Sequence, residues 1–121
     1  MKIAGIGLRQ DSSLESLKSA LEAAGGTSLD GLASPIDKCE HPALIALCGE
    51  LGLPLHPVSL GDLVSQETST QSTRVIEKRG VGSVAEAAAL ASAGANSELI
   101  QTRVVSADRM ATCAIAIGTD E

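Results

Sequence analysis

Two strand-to-helix handovers govern what this chain folds into. In the first, the apolar run Ile3-Ala4-Gly5-Ile6-Gly7-Leu8-Arg9 breaks at Gly-X-Gly and passes into Gln10-Asp11-Ser12-Ser13-Leu14-Glu15. In the second, Arg79-Gly80-Val81-Gly82-Ser83-Val84-Ala85-Glu86 opens an alanine-rich stretch. Glycine lets backbone approach a ligand closely, and a helix N-terminus offers free N–H groups to an anion. Two such turns in a chain of 121 residues point to a site for a ligand rich in negative charge.

The elements between these turns follow from spacing. Lys2–Leu8 reads as a short buried strand. Ser12 and Glu15 have capping-box spacing, and Leu14, Leu17, Leu21 and Ala24 then share one helical face until Gly25-Gly26. A second strand-like piece ends near Ser34-Pro35-Ile36. Pro42 suits a helix first turn, and that helix stops at Gly52. Pro54–Val58 is a third strand candidate, limited by Pro54 and Pro57 to an edge or to irregular pairing. Ser59 caps a short turn through Asp62 and Leu63, Ser65–Thr73 reads as a surface loop, and Thr73–Lys78 as a short helix. Ser83 and Glu86 repeat the capping-box spacing ahead of a helix ending at Gly94. Leu99–Val105 and Ala111–Ile117 form a terminal hairpin around Ser106-Ala107-Asp108-Arg109. Interleaved strands and helices closed by a hairpin predict a three-layer α/β/α sandwich in a single domain, residues 1–121, on a mostly parallel mixed sheet of about five strands.

Composition excludes several functions. Aromatic residues are absent, so the core is built from Leu, Ile, Val and Ala and no ring is available to stack on a base. The net charge of −6 opposes a phosphate-backbone partner, and nucleic acid is not expected. No apolar run reaches the roughly 18 residues of a membrane span. Nor does the N-terminus carry a secretory signal pattern. Cys39, Cys48 and Cys113 are an odd set without Cys-x-x-Cys spacing and read as reduced thiols, so a cytoplasmic location is expected.

Nucleotide readings fail on particular residues. A dinucleotide fingerprint needs a third glycine where Gln10 stands, and its distant acidic residue would be Asp30, beside Gly31 in a turn. No Gly-Lys-Ser/Thr follows either glycine pair, which excludes a Walker loop. Asp37-x-Cys39-x-His41 holds metal-ligating types, but alternate loop residues rarely converge on one ion, and no metal or cofactor is expected. Ser83, Ser12, Cys39 and Cys113 are the nucleophile types, with His41 or His56 as a base. Asp37, Glu40 and Glu86 are carboxyl groups for acid–base work, giving Ser83, Asp37 and Glu86 as catalytic candidates. Cations are more telling. Arg9 ends the first strand, Lys38 follows the second and Arg79 precedes the second glycine turn. Strand C-termini of a parallel sheet share one edge, where ligands collect. Gly5, Gly7, Arg9, Lys38, Gly82 and Ser83 are the expected ligand-binding residues.

Four segments together carry a resemblance: Gly5-Ile6-Gly7-Leu8-Arg9; Ala33-Ser34 with Asp37-Lys38; Leu51-Gly52-Leu53-Pro54-Leu55; and Gly82-Ser83-Val84-Ala85-Glu86-Ala87-Ala88-Ala89-Leu90. From Lys2 to about Ile117 the chain resembles the CobE family of cobalamin biosynthesis, the domain that also forms the C-terminal part of CbiG, the cobalt-precorrin-5A hydrolase. It departs from that family at Leu8, where a Cys is usual, and at Gln10-Asp11-Ser12-Ser13, often a basic-Gly-Thr-Ser run. The resemblance implies a corrin or precorrin intermediate as ligand, a macrocycle fringed with acetate and propionate carboxylates. It also implies other cobalamin-pathway enzymes as partners. Three activities go with it: binding and handing on such an intermediate, opening a lactone of a precorrin-5-type intermediate, or serving as a non-catalytic partner module.

Overall fold

In the computed structural model, which describes residues 1–59, 61 and 84–119, the chain alternates strands and helices around one mixed sheet. The strands are β1 (Lys2–Leu8), β2 (Gly31–Pro35), β3 (Leu55–Val58), β4 (Ala95–Val105) and β5 (Ala111–Thr119), in the spatial order β3-β2-β1-β5-β4. The described helices are α1 (Leu14–Ala23), α2 (Pro42–Leu51) and α3 (Val84–Ala93), with a 3₁₀ turn at Ile36–Lys38. β1 pairs parallel with β2, and β2 with β3, whereas β5 runs antiparallel to both β1 and β4. Among the described strands four therefore point one way and β5 alone is reversed. The Pro54–Val58 segment lies at the sheet edge, where Pro57 removes no donor that a second neighbour would need.

Strand residues alternate between the faces as period-2 geometry requires. Ala4, Ile6, Leu32, Cys113 and Ile115 meet Leu17, Ala20 and Leu21 of α1 and Leu44 and Leu47 of α2. Ile3, Ala33 and Ala116 meet Ala87, Ala88, Ala89 and Leu90 of α3 on the opposite face. These are the three layers the sequence predicts. On the α3 side the facing residues are mostly small, so helix and sheet come close together. A Cβ added to Gly5 would collide with the Ala85 carbonyl oxygen and lie 2.7 Å from the Ala89 amide nitrogen.

The helix ends show how the chain enters each layer. α1 is capped by Ser13, whose side chain accepts from the Ser16 amide while Ser16 returns the bond. The capping box thus sits one residue later than the expected Ser12–Glu15 pair, because the buried Ser12 hydroxyl is engaged elsewhere. His41 caps α2, Pro42 takes its first position, and Gly52 ends it in a left-handed conformation at φ 66°. Asp30, at the start of β2, accepts the Lys2 amide at 2.7 Å. It ties the strand N-termini together, at the end of the sheet away from strand C-termini. The expected Ser59–Leu63 turn lies largely outside the described residues. The Ser65–Thr73 loop, the Thr73–Lys78 helix and Ser83 lie wholly outside them.

Gly5→Ala should destabilise the protein by about 1–3 kcal/mol, the usual range for overpacking a tight contact. Urea denaturation checks this, and a change below a few tenths of a kcal/mol would contradict the close approach of α3.

Candidate functional site

The direction of winding sets where a crevice opens. From β1 the chain moves outward through β2 to β3 with α1 and α2 on one face. It then returns through α3 on the other face to β4 and β5 on the far side of β1. Beside β1 the strand order therefore reverses, and ligands of open α/β sheets bind outside strand C-termini at such a point. The β1–β2 ladder ends at Gly5–Ala33, although β1 continues to Leu8 and β2 to Pro35. There the buried Ser34 hydroxyl donates to the Ile6 carbonyl at 2.8 Å and holds the two strands together below the opening.

A pocket of about 340 Å³ occupies this place. Leu8, Pro35, Val84, Val105 and Met110 supply apolar wall, and Arg9, Lys38, Arg103 and Arg109 supply charge. Of the described cations Lys2, Arg9, Lys18, Lys38, Arg103 and Arg109, four line this one cavity, and no acidic residue is among its described lining. In a chain of net charge −6 that segregation makes a local positive field over apolar walls, where low dielectric strengthens it.

Hydrogen bonds fix the rim. Ser12 donates from its hydroxyl to the Met110 carbonyl at 2.6 Å and accepts the Arg9 amide at 2.9 Å. The Arg9 amide also reaches the Met110 carbonyl at 3.2 Å. This knot joins the end of β1 to the β4–β5 hairpin and brings Arg9 and Arg109 onto one rim. In the hairpin, Ser106 donates to Asp108 at 2.6 Å and accepts the Met110 and Ala111 amides. Arg109 takes a left-handed backbone conformation, φ 63°. Asp108 also accepts from the Ser16 hydroxyl, so the hairpin is moored to the first turn of α1. The Ser106 hydroxyl first, then Ser16 and the Met110 amide, hold the Asp108 carboxyl below its ordinary pKa.

The structure brings Gly7, Arg9 and Lys38 together on the pocket wall. A Cβ on Gly7 would collide with the Thr112 hydroxyl, so glycine here admits a neighbouring strand's side chain as well as the cavity. Gly5 lies under α3 and is not on the described wall. Gly82 and Ser83 lie outside the described residues, as does Arg79. Asp37 is exposed in the 3₁₀ turn and does not line the pocket, although its neighbour Lys38 does. Glu86 is fully buried behind the wall and accepts the Arg103 amide at 2.8 Å.

The remaining candidates take structural positions. His41 accepts the Ala43 amide at Nδ1, 3.1 Å, and its Nε2 therefore donates to the Gln10 carbonyl at 2.8 Å. Both ring nitrogens are thus occupied in joining α2 to the loop after β1. The Cys39 thiol is directed to the Ser34 and Pro35 carbonyls, and no metal-ligating group forms among the described residues. Burial first, with Asp37 second, raises the Cys39 pKa, and burial pushes the Cys113 thiol up to about 12. Neither is an activated nucleophile. His56 sits on β3 opposite Ala33, away from the pocket lining.

Arg103 and Arg109 are the pocket-lining cations that sequence reasoning missed. Their signal was the hairpin itself, since a reversed strand entering beside β1 delivers its turn to the C-terminal end of that strand.

The fold and the crevice define an open α/β domain with a cation-lined pocket at the point where its strand order reverses. Residues 2–116 match the family model described as cobalamin synthesis G C-terminus, and the chain belongs to that family, one of cobalamin biosynthesis. The chain is similar over its whole length to the crystal structure of CobE, a protein from the cobalamin (vitamin B12) biosynthetic pathway. The two share 36% identity, a TM-score of 0.86 and 92% coverage of that chain. Cobalamin biosynthesis protein chiG from Agrobacterium tumefaciens str. C58 is similar at 32% identity and TM-score 0.76, over 99% of this chain and 100% of that one. A putative cobalamin biosynthesis protein G homolog from Sulfolobus solfataricus, at 20% identity and TM-score 0.68, shares the fold over 95% of this chain and 36% of its own. No curated protein matches the chain. Among the described residues no helix is long and apolar enough to cross a membrane.

Because hydrogen bonding to the fold depresses the Asp108 pKa, its stabilisation is complete above the unfolded carboxylate value of about 4 and is lost as pH falls through the lower folded value. Melting curves followed from neutral to acid pH should show this loss, and Asp108→Asn should flatten the acid limb. Parallel curves for the two proteins would contradict it.

Proposed function

We propose that the pocket beside β1 binds a precorrin-type intermediate and hands it on within the cobalamin pathway. The observation that carries this reading is the gathering of Arg9, Lys38, Arg103 and Arg109 around apolar wall in an acidic chain. A corrin macrocycle presents the complementary chemistry, an apolar ring bearing acetate and propionate carboxylates around its edge. Guanidinium groups bind carboxylates through paired, charge-assisted hydrogen bonds, and apolar side chains meet the ring. Membership of a cobalamin biosynthesis family supports the choice of this anion over others. Other enzymes of the pathway are the partners this reading implies.

The test is a spectroscopic titration with cobyrinic acid, a corrin carrying free side-chain carboxylates, set against cyanocobalamin, whose corresponding side chains are amidated. The acid should bind and weaken as ionic strength rises, while the amidated corrin should not compete. Equal affinity for the two, or no binding of the acid to the folded protein, would overturn the reading.

Arg103→Ala and Lys38→Ala should each weaken cobyrinic acid roughly 5- to 30-fold, the value of about 1–2 kcal/mol for a charge-assisted contact. Thermal melts should leave the stability of Lys38→Ala within about 0.5 kcal/mol of the parent, as for most surface substitutions. Losses of stability that track the losses of affinity would count against a binding role.

A further inference from the structure

Glu86 is a fully buried acidic side chain that the pocket wall does not use directly. A buried carboxyl group is costly to bury unless hydrogen-bonded. Its Oε2 accepts the backbone N–H of Arg103 at 2.8 Å, across from α3 to β4. That bond falls where β4 departs from regular pairing. The β4–β5 register shifts between Gln101–Ile115 and Val104–Cys113, so β4 carries an extra residue there. An extra residue in one strand leaves a backbone group without its ladder partner and re-aims the side chain it carries. Here the residue so treated is Arg103, one of the four cations of the pocket. The helix that carries Glu86 lies close on β1, where a Cβ added to Gly5 would collide with the Ala85 carbonyl oxygen.

We propose that Glu86 is a positioning residue for anion binding: by taking the Arg103 N–H at the bulge, it fixes where the Arg103 guanidinium stands on the pocket wall. This rests on the reading that the pocket takes a carboxylate-bearing corrin. It deepens that reading by assigning a residue that never touches the ligand.

A double-mutant cycle on the whole chain, read by cobyrinic acid titration, tests the assignment. Glu86→Ala should weaken binding roughly tenfold, equivalent to about 1.4 kcal/mol. In the Arg103→Ala background the same change should cost less than about twofold, because the group it positions is gone. Glu86→Gln, which keeps an oxygen acceptor, should bind within about threefold of the parent. Additive losses in the cycle, or a Gln variant as weak as the Ala variant, would overturn the proposal. Circular dichroism reports whether Glu86→Ala folds; if it does not, Glu86→Asp, whose shorter side chain withdraws the oxygen, takes its place in the cycle. If the parent binds no cobyrinic acid, the ligand reading fails by itself. Positioning is then decided by hydrogen exchange at the Arg103 amide and by the rate at which phenylglyoxal modifies the Arg103 side chain. Both should rise in the Ala or Asp variant and stay near the parent in Glu86→Gln, and unchanged values would overturn the proposal.

Discussion

The seat of α3 on β1 is the contact on which the other features depend. A chain without aromatic side chains has nothing large enough to span a wide gap between helix and sheet. Its layers must approach until small groups touch, since dispersion falls away within a fraction of an ångström of misfit. Ala87, Ala88, Ala89 and Ala93 on the helix, with Ala33 and Ala116 on the sheet, meet this requirement, and Gly5 removes the last obstacle. The consequence reaches the site. With α3 held at this distance, Val84 enters the pocket wall and Glu86 comes within hydrogen-bond reach of β4.

Charge is distributed as unevenly as side-chain size. Several acidic groups are already satisfied by local partners. Asp30 accepts from the Lys2 amide, Glu50 pairs with Lys18 at 2.8 Å between α1 and α2, and Asp108 is taken up by the Ser106 hydroxyl and Met110 amide of its own hairpin and by the Ser16 hydroxyl of α1. Asp108 adjoins Arg109 in sequence, yet these bonds commit it to holding the turn. The four pocket cations thus share a wall from which carboxyl groups are missing among the described residues. A half-exposed ion pair such as Lys18–Glu50 adds little to stability. The same kinds of charge concentrated over apolar wall produce a local positive field.

Local rules made much of the fold legible. Pro42 at a first turn, Gly52 at a left-handed cap and a proline-bearing edge strand all have short-range causes, and each appears where those causes place it. The period-2 and helical patterns likewise divide the apolar residues between the two faces. Other features needed partners distant in sequence. Ser12 has the spacing of a cap, but Met110 draws its hydroxyl away, and Ser13 caps instead. Gly5 and Gly7 look alike in the sequence. Only the packing of α3 shows that Gly5 serves a helix while Gly7 faces the pocket and Thr112. Arg9 and Lys38 were recoverable because both follow parallel strands whose C-termini share an edge. The hairpin alone does not place Arg103 and Arg109, since their place depends also on β5 inserting beside β1 and on the register of β4.

That register is itself part of the design. β4 is the outer strand of the described sheet, eleven residues long, and its pairing with β5 shifts in three places. A long regular edge would present an even row of unpaired donors and acceptors to any passing strand. Bulges break that row, and at Arg103 the donor is turned inward to Glu86. The irregularity that blunts the edge also delivers a guanidinium to the crevice, and Val105, two residues on and therefore on the same side of the strand, follows it onto the wall. A regular β4 would lose both effects together. Protection of the edge and construction of the pocket are consequently one structural solution, held in place by one buried carboxyl group.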